Sequence, residues 1–295
     1  MPNHHPHREN AVRAHRAARN FLSFSKKRLN AFKQGRINVR LEIRKQARMR
    51  NNLEKNILRK LTSLFFKHIR TQSATYREYG VFSTEESQRL LENELLPIMK
   101  RHYRKIYITI FKDNESKYEK INKSVDVAVF DRNRDIESLV TLYNNERDLF
   151  LVNVTATISR SIEKVIKEGR EEGLSLSQIA RKINDTTGIA RRRANAIART
   201  ETHNAVSFAQ HEYHRTVKDE YGVKMMKRWA ATNDLRTRSA HSAVNGQVRD
   251  MDEPFDVGGA QMMHAGDPKG GAKNVINCRC LIIYVDEDEL DGISE

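Results

Sequence analysis

The apolar residues of this chain change their spacing once, and that change limits the folds open to it. Up to about residue 216 they recur three and four apart, as on a helix with one packed face; from Val223 they recur two apart, as on a strand. Leu53, Ile57, Leu61, Leu64, Phe65 and Ile69 mark a first helix, expected over about 39–71. Leu90, Leu91, Leu95, Ile98, Met99, Ile106, Ile110 and Phe111 mark a second, behind Ser83 and Glu86 at capping-box spacing. Pro97 is expected to kink or split that helix, and the stretch 112–123 to serve as a connector. A third stripe runs from near Asp131 through Ile136, Val140, Tyr143, Val154, Ile158 and Ile162 to Ile166, stopping at Gly169 or Gly173. Ser175 and Gln178 form another capping-box pair at the head of a short helix. Gly188 then separates it from a long helix over roughly 189–216.

Beyond Val223, Met225, Lys227 and Trp229 alternate with Met226 and Arg228. Gly, Asp and Pro punctuate 233–271, and the run Cys278-Arg279-Cys280 leads into apolar residues read as a last buried strand. The expected class is α+β: an elongated amino-terminal half of long helices, then a small α+β carboxy-terminal domain with short strands and long loops. The segments are a flexible basic arm at 1–37, a helical bundle or hairpin at 38–170, the α+β domain at 175–285 and an acidic tail at 286–295.

Charge is unevenly spread. The net charge is +15, and residues 1–60 hold seventeen Lys or Arg against three acids, so the remainder of the 53 bases and 38 acids nearly cancel. A concentrated cationic arm fits a polyanion, above all double-stranded DNA gripped by its phosphates without sequence reading. Arg13, Arg16, Arg19, Lys26, Lys27, Arg28, Arg36, Arg40, Arg44 and Lys45 are the residues expected to make that contact. Two cysteines spaced Cys-x-Cys cannot build a disulfide framework, which points to a reducing compartment. No secretory signal and no run of about 18 apolar residues is present, so no membrane anchor is expected.

Two groups carry the unusual chemistry. On a strand Cys278 and Cys280 would share a face, and with further ligands from His241, Asp234 or His264 they would suit zinc; two ordinary buried cysteines are the competing reading. Asp234, Arg236, Arg238 and His241 are expected to form a charge-paired loop with Glu201, beside Arg199, in a docking role. No phosphate-binding glycine loop, glycine-flanked serine elbow or paired carboxylates are found, so no catalytic residue is assigned and no cofactor beyond that zinc ion. A DNA-binding helix-turn-helix made by the helices around Gly188 is a further reading of that segment.

The ordered set of motifs resembles the Mu F-like minor head proteins, or phage head morphogenesis proteins. It consists of AIARTETHNAVSFAQ, KRWAATNDLRTRSAHSAVNGQ, EPFDV, the turn Gly266-Asp267-Pro268, and Asn277-Cys278-Arg279-Cys280 before an apolar strand. The matching positions are Arg199, Thr200, Glu201, Trp229, Asp234, Arg236, Arg238, His241, Gly246, Asn277, Cys278, Arg279 and Cys280. The intervening GGAKNVI departs from the family pattern. The resemblance implies a minor capsid protein that docks on the portal inside the procapsid, with the major capsid protein or scaffold as further partners. It also implies help in head assembly, DNA packaging or ejection. The expected location is the virion, in the head interior near the portal, and the host cytoplasm during assembly. The alternative is an enzyme acting on nucleic acid or a nucleotide through His241, Glu201 and the Cys278/Cys280 region.

Overall fold

The computed structural model describes residues 37–121, 132–221, 224–286 and 293–294. Arg13, Arg16, Arg19, Lys26, Lys27, Arg28 and Arg36, with the rest of the arm before Ile37, lie outside the described residues. The chain opens with β1 (Ile37–Asn38), α1 (Val39–Tyr79), α2 (Thr84–Ile121), α3 (Arg132–Glu171), α4 (Leu176–Asp185) and α5 (Thr187–Tyr221). It continues with β2 (Met225–Ala230), α6 (Ser239–Ala243), β3 (Val248–Asp250), β4 (Phe255–Val257) and β5 (Ala260–Met262). A 3-10 turn at Pro268–Gly270, α7 (Gly271–Val275), β6 (Leu281–Asp286) and β7 (Ile293–Ser294) complete it. This is the α+β class read from the spacing, with long helices first and short strands after. Contacts divide the chain into two compact units: a helical unit of 51–106 and 132–202, and a sheet unit of the described parts of 1–50, 107–131 and 203–295.

The helical unit is organised by its apolar stripes. Leu53, Ile57, Leu61, Phe65 and Ile69 of α1 are buried, as are Leu91, Leu95 and Met99 of α2 and Val140, Ile158 and Ile162 of α3. Between the stripes runs a polar thread: His68 Nε2 lies 2.9 Å from Ser87 Oγ, which lies 3.0 Å from Ser159 Oγ, joining α1, α2 and α3. Burial drives the pKa of His68 down to about 4, against the opposing charge of Glu94. Ser73 Oγ donates to the Ala180 carbonyl at 2.8 Å and ties α4 to α1.

Several boundaries differ from expectation, α1 running to Tyr79 rather than about 71 and α5 to Tyr221 rather than about 216. α2 passes through Pro97 without a break and continues to Ile121, past the expected connector, because Leu95 and Met99 on either side are fully buried and hold the register against one lost backbone bond. Gly188 sits inside the first turn of α5 rather than before it, so only Thr186 lies between α4 and α5. The Ser175–Gln178 box forms in full, with Ser175 N–H donating to Gln178 Oε1 at 2.8 Å and Gln178 N–H to Ser175 Oγ at 3.4 Å. At Ser83 only half a box forms, because its hydroxyl donates to Glu85 while accepting from Glu86 N–H.

The sheet unit is built on β2. It lies between β3 and β6, antiparallel to both, with Met225 opposite Asp286, Ala230 opposite Leu281 and Met226 opposite Asp250. Period two then sorts the side chains. Trp229 and Ile282 face one layer with Val244, Phe255, Val257, Met262 and both cysteines, while Ala230, Leu281, Ile283 and Val285 face the other with Ile43. β4 and β5 form a hairpin closed by Gly258 and Gly259, whose φ values of 62° and 84° are those a two-residue turn of the right twist requires. Ile37–Asn38, at the foot of the basic arm, pairs in parallel with Ile293–Ser294 from the acidic tail.

Candidate functional site

The expected docking between the loop around His241 and the cysteine-bearing segment is present, within the sheet unit. Asn233 and Asn277, both in left-handed backbone (φ 51° and 57°), turn the chain into each segment. The cysteines precede β6 rather than lying in it, yet the alternation holds: Cys278 and Cys280 are buried and Arg279 points the other way. Arg279 grips Asp234 with both guanidinium nitrogens, Nη2 to Oδ1 at 2.6 Å and Nη1 to Oδ2. These bonds hold the Asp234 carboxyl well below the usual carboxylate range. Asp234 also accepts from Arg236 N–H at 3.0 Å, and the exposed Arg236 guanidinium stands 3.7 Å away. Arg238 donates to the Ile276 carbonyl at 2.5 Å, a second strap from loop to segment.

Beneath these straps lies His241. Its Nδ1 is 3.3 Å from Cys280 Sγ and 3.6 Å from Cys278 Sγ, and the three donor atoms lie within 4.8 Å of one another. All three residues are buried, and both cysteines are free. The thiols share a hydrogen bond that pushes the Cys278 pKa up and the Cys280 pKa down. The indole of Trp229 meets the His241 ring edge-on at 5.7 Å and Phe255 at 5.3 Å, which closes one side of the cluster. Among the described residues Trp229 Nε1 and His241 Nε2 have no hydrogen-bond partner.

Asp234, the acidic candidate for the cluster, is held by Arg279 and is not among its converging donors. The Glu201 carboxylate accepts from Tyr103 OH at 2.8 Å in the helical unit, and Arg199 Nε lies 3.6 Å from Glu54 Oε1 there. The expected charge pairing of Glu201 with the 234–241 loop is therefore replaced by Arg279–Asp234. Arg279, two residues from either cysteine's neighbour, sits directly opposite the loop, whereas Glu201 is fully buried against a tyrosine. His264 is also absent from the donor cluster. Its ring lies 5.4 Å from that of His211, tilted by 44°, and its Nδ1 bonds to the Ala265 carbonyl at 3.2 Å. Of the cationic candidates on α1, Arg44 and Lys45 are exposed, and Lys45 Nζ stands 3.8 Å from Asp113.

A further set of buried polar groups includes Lys227 and Asn204, which sequence reasoning did not single out. Lys227 is fully buried, donating to the Met251 and Met263 carbonyls at 3.0 Å each, with its ammonium 5.4 Å from the Phe255 ring centre. Burial lowers its pKa to about 8. The signal was available, since Lys227 alternates with Met225 and Trp229 on the inward face. His203 Nδ1 lies 2.6 Å from Arg50 Nη1, and a guanidinium only donates, so His203 accepts there and carries its proton on Nε2. Burial, then the charge of Arg50, drives the His203 pKa far down. Arg50 also reaches the Arg279 carbonyl at 3.4 Å. Next to His203, Asn204 is buried against Gly266, where a Cβ would meet Asn204 Oδ1 at 2.3 Å; with φ at 82°, the Gly266-Asp267-Pro268 turn requires glycine twice over.

Residues 160–283 match the family described as phage Mu protein F like protein. The chain is 35% identical to an NAD(+)--arginine ADP-ribosyltransferase of Enterococcus faecalis, over 46% of this chain and 27% of that protein. It is 31% identical to the minor head protein GP7 of Bacillus phage SPP1, over 45% of this chain and 42% of that protein. It is 30% identical to the uncharacterized protein YqbB of Bacillus subtilis, over 45% and 44%. The chain thus spans less than half the length of each of these relatives. No solved structure matches. The matched segment contains the Asp234–Arg279 clamp, the His241 cluster and the Gly266 turn, and it is through this segment that the chain is similar to the phage Mu F-like proteins.

Proposed function

We propose that the protein is a minor head protein of a tailed bacteriophage, docking on the portal inside the procapsid and assisting head assembly, DNA packaging or ejection. The observation that carries this reading is the family match over residues 160–283, together with the relative named as a minor head protein. The geometry supports a docking module. Asp234 and Arg238 strap the loop to the cysteine-bearing segment, and such a preorganised surface loses little conformational entropy on binding. No described helix is long and apolar enough to cross a membrane. Co-expression with the portal protein of the same phage tests the reading. The expected result is co-purification with the portal ring, and a portal ring that assembles without this chain and fails to bind it afterwards would overturn docking.

The basic arm is proposed to lie on double-stranded DNA, because residues 1–60 carry almost the whole net charge. Each neutralised phosphate releases counterions, so the logarithm of the binding constant falls linearly with the logarithm of salt concentration. Removing residues 1–37 should flatten that slope. An unchanged slope places the DNA contact elsewhere.

An enzymatic reading is favoured by one finding, the relative named as an arginine ADP-ribosyltransferase. Incubation of the full chain with NAD(+) and an arginine-rich acceptor separates the two. The structural role predicts no nicotinamide release, and turnover lost in His241→Ala would replace it.

A further inference from the structure

We infer that His241, Cys278 and Cys280 form a binding site for a zinc ion, with three protein ligands and a fourth position open to water or to a group brought by a partner. Zinc bound tetrahedrally at about 2.3 Å to sulfur and about 2.0–2.1 Å to imidazole nitrogen places a nitrogen and a sulfur roughly 3.6 Å apart. The two measured separations, 3.3 Å and 3.6 Å from His241 Nδ1 to the sulfurs, are already of that size. Three donors meet here from two chain segments, and among the described residues no other group of His, Cys, Asp or Glu converges in this way.

The surroundings are those of a metal site held by its scaffold. Trp229 covers the imidazole edge, and Arg279, between the two ligands in sequence, is clamped outward by Asp234 so that both sulfurs must face inward. α6, which carries His241, has only five residues and no side-chain cap, so its own hydrogen bonds hold it weakly. A metal joining α6 to the segment before β6 would fix this short helix against the sheet. Two thiolates with one imidazole suit zinc better than the oxygen-seeking calcium or magnesium. Binding displaces both thiol protons to solvent and changes no oxidation state.

The test uses the full chain, purified without a histidine tag, kept reduced and stripped with a chelator, then titrated with Co²⁺ and with Zn²⁺. His4, His5 and His7 offer an adventitious imidazole site, so the readout must report sulfur. The expected result is one equivalent of Co²⁺ giving visible bands of tetrahedral intensity together with near-ultraviolet thiolate-to-cobalt charge transfer, both abolished by one equivalent of Zn²⁺. Cys280→Ser should lower affinity by more than about 100-fold, beyond the usual cost of losing an outer-shell partner. Should that variant fail to fold, the wild-type chain still decides, since Zn²⁺ must raise its Tm above that of the stripped protein. Visible bands without charge transfer, or a Cys278–Cys280 disulfide in the protein as isolated, overturn the proposal.

Discussion

The two units keep their polar groups in opposite ways. In the helical unit the buried polar side chains are mostly hydroxyls, on threads such as His68–Ser87–Ser159 set between apolar stripes that already specify the packing. In the sheet unit the core itself is polar-studded. Lys227, His203, Asn204, His211, His241 and His264 are all buried, on the carboxy-terminal part of α5, on α6 and among the short strands and turns. A buried polar group is costly unless its partners are in place, so a small domain that keeps this many has traded stability for a defined site or surface. Among the described residues the helical unit buries fewer histidine, lysine and carboxylate side chains, His68, His102 and Glu201, which is why the functional reading rests on the sheet unit.

The largest expected effect comes from removing the aromatic wall of that site. Trp229→Ala deletes a fully buried side chain that packs on His241 and Phe255, at a cost of about 3–5 kcal/mol. Native-state hydrogen exchange sharpens the contrast. Protection should fall in β2, β3 and β6 while the amides of α3 near Ile158 and Ile162 keep theirs. Equal loss in α3 would mean that the units unfold as one, and the comparison would collapse.

Acid comes next. His68 and His102 in the helical unit have pKa values driven down to about 4 by burial, and His211 in the sheet unit to about 2. In the unfolded chain each titrates near 6.5. Between those values the unfolded state binds more protons than the folded one, so the stability present above pH 6.5 is lost as pH falls. For His68 and for His102 the loss is about 3 kcal/mol each and complete near pH 4. For His211 it continues to lower pH. Urea titrations at pH 7, 5.5 and 4 should therefore show a falling midpoint, with His68→Asn flattening part of the fall. A midpoint indifferent to pH would show that these rings are not buried neutral.

How much was legible in the sequence follows from the same contrast. Stripes such as Leu53 to Ile69 announce helices because each residue repeats the same instruction, whereas single residues such as Pro97 and Gly188 were given too much weight as breaks. The Trp229, His241 and Cys280 positions were legible as an ordered set. Their partners were harder, because an arginine in sequence names no carboxylate. The loop of Asp234, Arg236, Arg238 and His241 was expected to be charge-paired with Glu201, and its Asp234 instead meets Arg279, forty-five residues on. Lys227 announced its inward position by period two, but composition argues so strongly for exposed lysine that only the carbonyls of Met251 and Met263 explain it.

The smallest effect concerns how far the helical unit depends on local signals at all. Ser175 and Gln178 form a complete capping box, and Ser175→Ala removes the side-chain acceptor for the Gln178 amide, worth about 1 kcal/mol. α4 has only ten residues, too short to persist on its own, and is held by Ile179, Ala180 and Ile183 together with the Ser73 bond to the Ala180 carbonyl. If tertiary packing dominates this unit, the variant should lose about that amount in urea denaturation without any change in the slope of the transition. A larger loss with a changed slope would mean that α4 detaches when its cap is gone. The helical unit would then prove as dependent on single polar contacts as the sheet unit, and the division drawn between them would have to be given up.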